Sequence, residues 1–269
     1  MGSVTVDAEW VAAHLDEPDV QVIEVDVSSA AYDEGHIPGA VLWDAYKDLR
    51  HPDFSPIDKA EFEAVLAASG LTSDTTVVFY GYAPLLGFWL LDRHGHERMR
   101  VMDGPREQWD GGGRRWSTEV PRPKSTSYVS DRGHVGLLAS TAEVQDAIGD
   151  PGAVIVDVRS AEEFAGERFW PSGAPEDVGR AGHIPGAVHV PVSVLTDGDG
   201  NPVGREKLRA IFEEAGVTPD KKVITYCTIG NRASQVAFVL KHDLAYPEVA
   251  VYYGSWSQWG HQPDAPVET

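Results

Sequence analysis

The string Gly-His-Ile-Pro-Gly-Ala-Val occurs twice in this chain, at 35–41 and again at 182–188, an offset of 147 residues. Other matches follow in the same order. Thr76-Val77-Val78-Phe79-Tyr80-Gly81 aligns with Lys222-Val223-Ile224-Thr225-Tyr226-Cys227 at an offset of 146. Asp103-Gly104 with Trp109 aligns with Tyr253-Gly254 with Trp259 at an offset of 150. Each copy of the first string is preceded by a short β-branched run, Val22-Ile23-Glu24-Val25-Asp26 in one and Val154-Ile155-Val156-Asp157-Val158-Arg159 in the other. Co-linear matches of this kind mean duplication, so the 269 residues fold as two copies of one domain. Half the chain is enough in each case to bury a core.

Within each copy short apolar strands alternate with segments of helical spacing. In the first, Asp7 is placed to cap a helix running to Leu15, and a strand follows at Val20–Val25. A helix over Ala60–Ser69 stops at Gly70. Next come a strand at Thr75–Tyr80, a helix over Leu85–Arg93 and a strand at Arg100–Met102. In the second, Ser140-Thr141-Ala142-Glu143 caps a helix to Ile148. Strands are expected at Ala153–Val156, Val188 and Val223–Tyr226, and helices over Arg205–Ala215 and Arg232–His242. The alternation predicts an α/β fold, each copy a mostly parallel central sheet with helices on both faces. Gly111-Gly112-Gly113-Arg114-Arg115 and the Pro-rich stretch after it mark the boundary region. The expected domains are 1–122 and 135–269, joined by a linker at 123–134. Phe164–Arg180 has no counterpart in the first copy and reads as a surface loop.

Charge and cysteine usage narrow the function. A formal net charge of −20 opposes nucleic acid and anionic lipid as partners, because both are bound through clustered cations. No apolar run is long enough to span a bilayer, and the first residues lack the pattern of a signal peptide or of a myristoylation site. The expected setting is the cytoplasm. A single cysteine excludes an internal disulfide and a cysteine-built zinc site, and no metal or cofactor is implied.

That cysteine, Cys227, ends a strand and is followed by Thr228-Ile229-Gly230-Asn231-Arg232, where a helix begins. Backbone N–H groups of such a loop, with a helix N-terminus behind them, favour an anion and lower a thiol pKa. The duplication supplies an internal control. The position equivalent to Cys227 is Gly81, so the shared scaffold does not require a thiol there, and one active and one inactive domain are expected. Arg232 lies on the loop and is placed to stabilise a thiolate and bind an anionic substrate. Arg159 follows the strand ending at Asp157, on the same carboxyl edge of the sheet, so convergence on Cys227 and a structural ion pair are both open to it. Arg180 is a further candidate. His183 is a candidate acid or base, but His36 fills the same place in the thiol-free copy, which favours a structural imidazole bonded to backbone. The same reasoning covers Asp26 and Asp157. Trp256 and Trp259 either wall the site or belong to the core. Asp197-Gly198-Asp199-Gly200-Asn201 starts like a calcium loop but has Pro202 and Leu208 where Gly and Glu are needed. His94-Gly95-His96 has too few partners for a metal, and the triple glycine at 111–113 lacks the strand-to-helix setting of a phosphate loop.

The repeated Gly-His-Ile-Pro-Gly-Ala block, Asp157-Val158-Arg159, the Tyr226–Arg232 loop and Gly254-Ser255-Trp256 together resemble the rhodanese superfamily. Residues 4 to 262 look like a tandem-domain sulfurtransferase of the thiosulfate sulfurtransferase type, bacterial ones in particular. The resemblance implies a ping-pong reaction: Cys227 takes the outer sulfur of a small anionic donor such as thiosulfate and passes it from a persulfide to cyanide, a thiol or a thioredoxin-like acceptor. It also implies that amides from Thr228, Ile229, Gly230, Asn231 and Arg232 hold the transferring sulfur, and it makes Tyr82 a candidate lid residue. Three positions depart from the family's patterns. Mercaptopyruvate-type members carry Ser two places after the cysteine, where this chain has Ile229. Mammalian thiosulfate-type members carry two basic residues after the cysteine, where it has Thr228 and Ile229. They also carry a second arginine four places after the strand-end one, where it has Glu163. Thiosulfate is therefore the expected donor and 3-mercaptopyruvate the alternative. A Cys-based phosphatase or arsenate reductase needs five residues between Cys and Arg, against four here. A non-catalytic sulfur-relay module would not require both Cys227 and Arg232.

Overall fold

The computed structural model describes residues 4–130, 133–170, 179–198 and 202–269. The chain divides into two compact units, 1–52 with 56–134, and 53–55 with 135–269.

In the first unit the elements run β1 (Thr5–Val6), α1 (Ala8–His14), β2 (Val20–Asp26), α2 (Ala30–Glu34), β3 (Val41–Asp44), α3 (Lys59–Ala68), β4 (Thr76–Gly81), α4 (Pro84–Arg93) and β5 (Met99–Met102). The five strands form a fully parallel sheet in the order β1-β5-β4-β2-β3. Asp7 caps α1 by accepting the Trp10 N–H, and Asp58 with Glu61 forms a capping box on α3. The β-branched strands are buried on both faces, as a parallel sheet requires. Val22, Val78, Tyr80 and Met102 pack with Val11, Ile37 and Trp109 in one core cluster. Of the stretch expected as a linker, 123–134, residues 126–130 are fastened to this unit. Tyr128 is buried with its hydroxyl 2.8 Å from His96 Nδ1, and the Ser130 N–H and hydroxyl both donate to Glu63.

The second unit contains α5 (Thr141–Ala147), β6 (Ala153–Asp157), α6 (Ala161–Phe164), β7 (Val188–His189), α7 (Arg205–Glu214), β8 (Lys222–Tyr226), α8 (Asn231–Phe238), β9 (Val249–Val251) and α9 (Ser255–Trp259). Its sheet is parallel throughout, in the order β7-β6-β8-β9. The helix expected over Arg232–His242 keeps α-helical geometry only to Phe238 and closes with a π turn over Val239–Asp243. The core gathers Tyr226, Tyr252, Trp256, Trp259 and Phe169. Trp256 and Trp259 are thus core residues. Phe169 shows that the stretch read as a surface loop sends at least one side chain inward; its residues 171–178 lie outside the described set, as do 199–201 of the supposed calcium loop.

The two Gly-His-Ile-Pro-Gly-Ala turns are closed alike. His36 pairs antiparallel with Ser117, and His183 with Glu268, each through two backbone bonds. The His36 ring bonds the carbonyls of Tyr32 and Glu119 and stacks on Tyr32 at 3.8 Å. The His183 ring bonds the Phe164 carbonyl and stacks on Phe164 at the same distance. No helix among the described residues is long and apolar enough to cross a membrane.

Candidate active site

Strand β8 ends at Tyr226, and the chain turns through Cys227, Thr228, Ile229 and Gly230 before α8 begins at Asn231. Three residues from the start of α9 hold this turn from behind. The Cys227 N–H donates to Ser255 Oγ at 3.2 Å, while Cys227 O accepts from Trp256 N at 3.0 Å and Thr228 O from Ser257 N at 2.9 Å. In a trans peptide the carbonyl and the next N–H point opposite ways. Committing these two carbonyls to α9 therefore turns the Thr228 and Ile229 N–H groups away from α9. The Gly230 N–H completes the curve by donating to Cys227 Sγ at 3.0 Å. Gly230 has φ +89°, and a Cβ there would meet the Tyr253 ring and carbonyl at 3.0 Å, so only glycine fits this position. Ser255 itself sits at φ +53°, a strained conformation for a residue with a Cβ. The thiol is buried.

Arg232, in the first turn of α8, does not stand as an open cation. Its Nη1 and Nη2 donate to Glu163 Oε2 and Oε1 at 2.7 and 2.8 Å, and Nη2 also donates to Thr228 Oγ1 at 2.6 Å. The Thr228 hydroxyl passes its own proton to Glu163 Oε1 at 2.6 Å. Glu163 is fully buried and is held by α6, where it forms a capping box with Ser160. Burial pushes its carboxyl up, but the guanidinium and the Thr228 hydroxyl outweigh burial and bring its pKa down to about 2. Burial works against the Arg232 cation, while Glu163 and then Cys227 raise its pKa above the ordinary arginine value. Glu163 is a residue the sequence reading met only as a departure from a family pattern. The Ser160-x-x-Glu163 capping spacing was the available signal, but it indicates a helix start and not a partner for Arg232.

Arg159 is buried in a different pair. Nε and Nη2 bind both Asp157 oxygens at 2.6–3.0 Å, and Nη2 reaches Gly182 O at 2.7 Å. The guanidinium lies 4.6 Å from the Trp256 ring centre and 5.5 Å from that of Tyr226, and Nη1 has no hydrogen-bond partner. The first unit contains the same constellation. Sheet register pairs Glu24 with Tyr80 and Asp157 with Tyr226, so Glu24, not Asp26, is the counterpart of Asp157. Tyr80 donates to Glu24, Arg106 donates to Glu24 and Gly35 O, and the Ile37 N–H meets Tyr80 Oη as the Ile184 N–H meets Tyr226 Oη. A carboxylate–guanidinium–tyrosine cluster thus persists where there is no thiol, and Arg159 stands in a buried ion pair. Arg180 is also elsewhere: its guanidinium donates to Gln262 O and its backbone bonds Gly260 and Trp256. Asn231 is buried at the start of α8, Ile229 is partly exposed, and Tyr82 is well exposed in the first unit. Among the described residues no group of three His, Cys, Asp or Glu side chains could hold a metal ion.

The chain is thus a duplicated parallel α/β unit with one thiol, on a glycine-containing loop at a strand end. The rhodanese-like domain model matches residues 7–111 and again 140–262, and the chain belongs to that family of sulfurtransferases. It is 38% identical over 275 residues to the sulfur carrier protein TtuD of Thermus thermophilus, covering 98% of this chain and 96% of that one. It is 37% identical over 271 residues, with the same coverage, to a protein of Saccharopolyspora erythraea provisionally named thiosulfate sulfurtransferase. Among solved structures it is similar to the anaerobic ergothioneine biosynthesis enzyme of Chlorobium limicola bound to trimethyl histidine, at a TM-score of 0.87 and 25% identity over 98% of this chain and 70% of that one. A variant of EanB, with ergothioneine covalently linked to a persulfide cysteine, is equally similar, at a TM-score of 0.87 and 25% identity.

Proposed function

We propose that the chain transfers a sulfane sulfur through a persulfide on Cys227. The Cys227 thiolate attacks the outer sulfur of thiosulfate or a related donor. The S–S bond of thiosulfate breaks, its electron pair leaves with sulfite, and Cys–S–S⁻ remains. Cyanide or a thiolate then attacks the terminal sulfur, leaves as thiocyanate or a persulfide, and returns the thiolate. The observation that carries this reading is the Gly230 N–H directed at Cys227 Sγ from a loop whose carbonyls are turned the other way. Such amides stabilise charge on sulfur without charged side chains. The amides of Thr228 to Arg232 are the groups proposed to hold the terminal sulfur. Ile229, in place of a serine, supports thiosulfate over 3-mercaptopyruvate.

Intact mass after thiosulfate treatment tests the first half-reaction. The expected result is a gain of one sulfur atom, reversed by cyanide. In Cys227→Ala both the gain and the thiosulfate:cyanide turnover should vanish, a loss of at least about 10³-fold, as for removal of a nucleophile. Unchanged turnover in that variant would falsify the proposal.

A further inference from the structure

The cation that the sequence sets beside the thiol is cancelled within the second unit. Arg232 is tied by two bonds to a fully buried carboxylate, and Thr228 closes a three-residue ring with both. The carboxylate cannot swing away, since Ser160 N–H holds its Oε2 at 3.0 Å and its backbone belongs to α6. Arg159, the other arginine of that sheet edge, is matched in the same way by Asp157. Each positive charge contributed there has a negative one at hydrogen-bond distance. Among the described residues of that sheet edge, what the second unit leaves for a donor is a set of neutral N–H dipoles, and a chain of net charge −20 repels a dianion from outside.

We infer that Glu163 is a positioning and specificity-determining residue of the transfer site: it fixes Thr228 and Arg232, and by cancelling the guanidinium it turns the site toward donors of low charge, monoanionic persulfides R–S–S⁻, and away from the thiosulfate dianion. The inference rests on the reading of Cys227 as the transferring thiol. The step balances with either donor: for the persulfide, thiolate plus R–S–S⁻ gives Cys–S–S⁻ and R–S⁻, with one S–S bond formed and one broken.

The test compares thiosulfate with the persulfide of 2-mercaptoethanol in wild type, Glu163→Gln, and Glu163→Gln with Arg232→Gln. Glutamine keeps the shape and an acceptor while removing the charge. At a separation of about 8 Å in a partly hydrated site, one unbalanced positive charge is worth about fivefold more to a dianion than to a monoanion. The ratio of kcat/KM for thiosulfate to that for the persulfide should therefore rise about fivefold in Glu163→Gln, mainly through the thiosulfate KM, and return to the wild-type ratio in the double variant. An equal loss with both donors and an unchanged ratio would mean that Glu163 only holds the loop together, and the inference falls. Should Glu163→Gln not fold, the wild type decides. Its kcat/KM for thiosulfate should rise with added salt, because screening removes repulsion and no local net cation is lost; a fall overturns the inference. Should the wild type accept sulfur from neither donor, the transfer reading fails. Glu163 is then judged by thiosulfate titration of Cys227→Ser with and without Glu163→Gln, where tighter binding supports the inference and equal binding overturns it.

Discussion

Arg159 and Arg232 differ in what their carboxylates do. Asp157 ends β6, and Arg159, two residues further on, forms a buried pair with it that stacks on Trp256, with a counterpart in the thiol-free copy built from Glu24 and Arg106. Removing one partner of a buried pair leaves the other charged and unmatched, which costs about 3–5 kcal/mol. Arg159→Met is expected to lower unfolding free energy by that amount in urea titration, while the protein that remains folded keeps its KM for sulfur donors. A large rise in KM with unchanged stability would restore Arg159 to the substrate. The Glu163–Arg232 pair instead touches the loop, through Thr228.

At the scale of elements, the comparison between copies is sharper than a missing thiol. α8 begins four residues after Cys227, with Gly230 as its cap, whereas α4 begins three residues after Gly81, with Pro84 in its first turn. Gly81 has φ +108°, and a Cβ there would lie 2.8 Å from Val25 O and 3.0 Å from the Glu24 side chain. Gly81→Cys in a Cys227→Ser background is therefore expected to melt several degrees lower and to take no sulfur from thiosulfate by intact mass. Sulfur uptake there would show that the thiol alone makes the site. Most of this architecture was legible in the sequence. The duplication, the capping residues Asp7 and Ser140, and the β-branched runs of β2, β4, β6 and β8 locate the sheets because they are local signals of burial and helix start. Elements as short as β1, α2 and α6 carry too few residues to show a period. The Glu163–Arg232 pair and the bracing of Cys227 by Ser255 were not legible, since both join residues far apart in the chain and the second depends on a positive φ that serine does not advertise.

At the scale of the whole chain, the duplication extends past the last strand of each unit. The stretch at Ser117 does for His36 what the stretch at Glu268 does for His183. In the second unit the same segment buries Ala265 and supplies Pro266 O to the Trp259 indole N–H at 2.8 Å. Removing residues 264–269 forfeits five hydrogen bonds, to His183 (two), Gly186, Trp259 and Gln262, and that burial, together worth about 5 kcal/mol. Urea unfolding of the shortened protein should show this loss. A midpoint within error of wild type would demote the segment to a loose end.

The geometry at Gly81 also bears on how the two copies could have come to differ. One substitution would put a thiol in the first copy without the loop that surrounds Cys227: the turn is a residue shorter, its backbone sits where side chains are strained, and the space a Cβ needs is taken by Val25 and Glu24. An insertion and a backbone change would have to arrive together with the cysteine. Descendants of such a duplicate are held on one side of a step that point mutation does not reverse. Selection on the first copy then acts through what it offers without a thiol, a fold with an exposed tyrosine beside the altered turn.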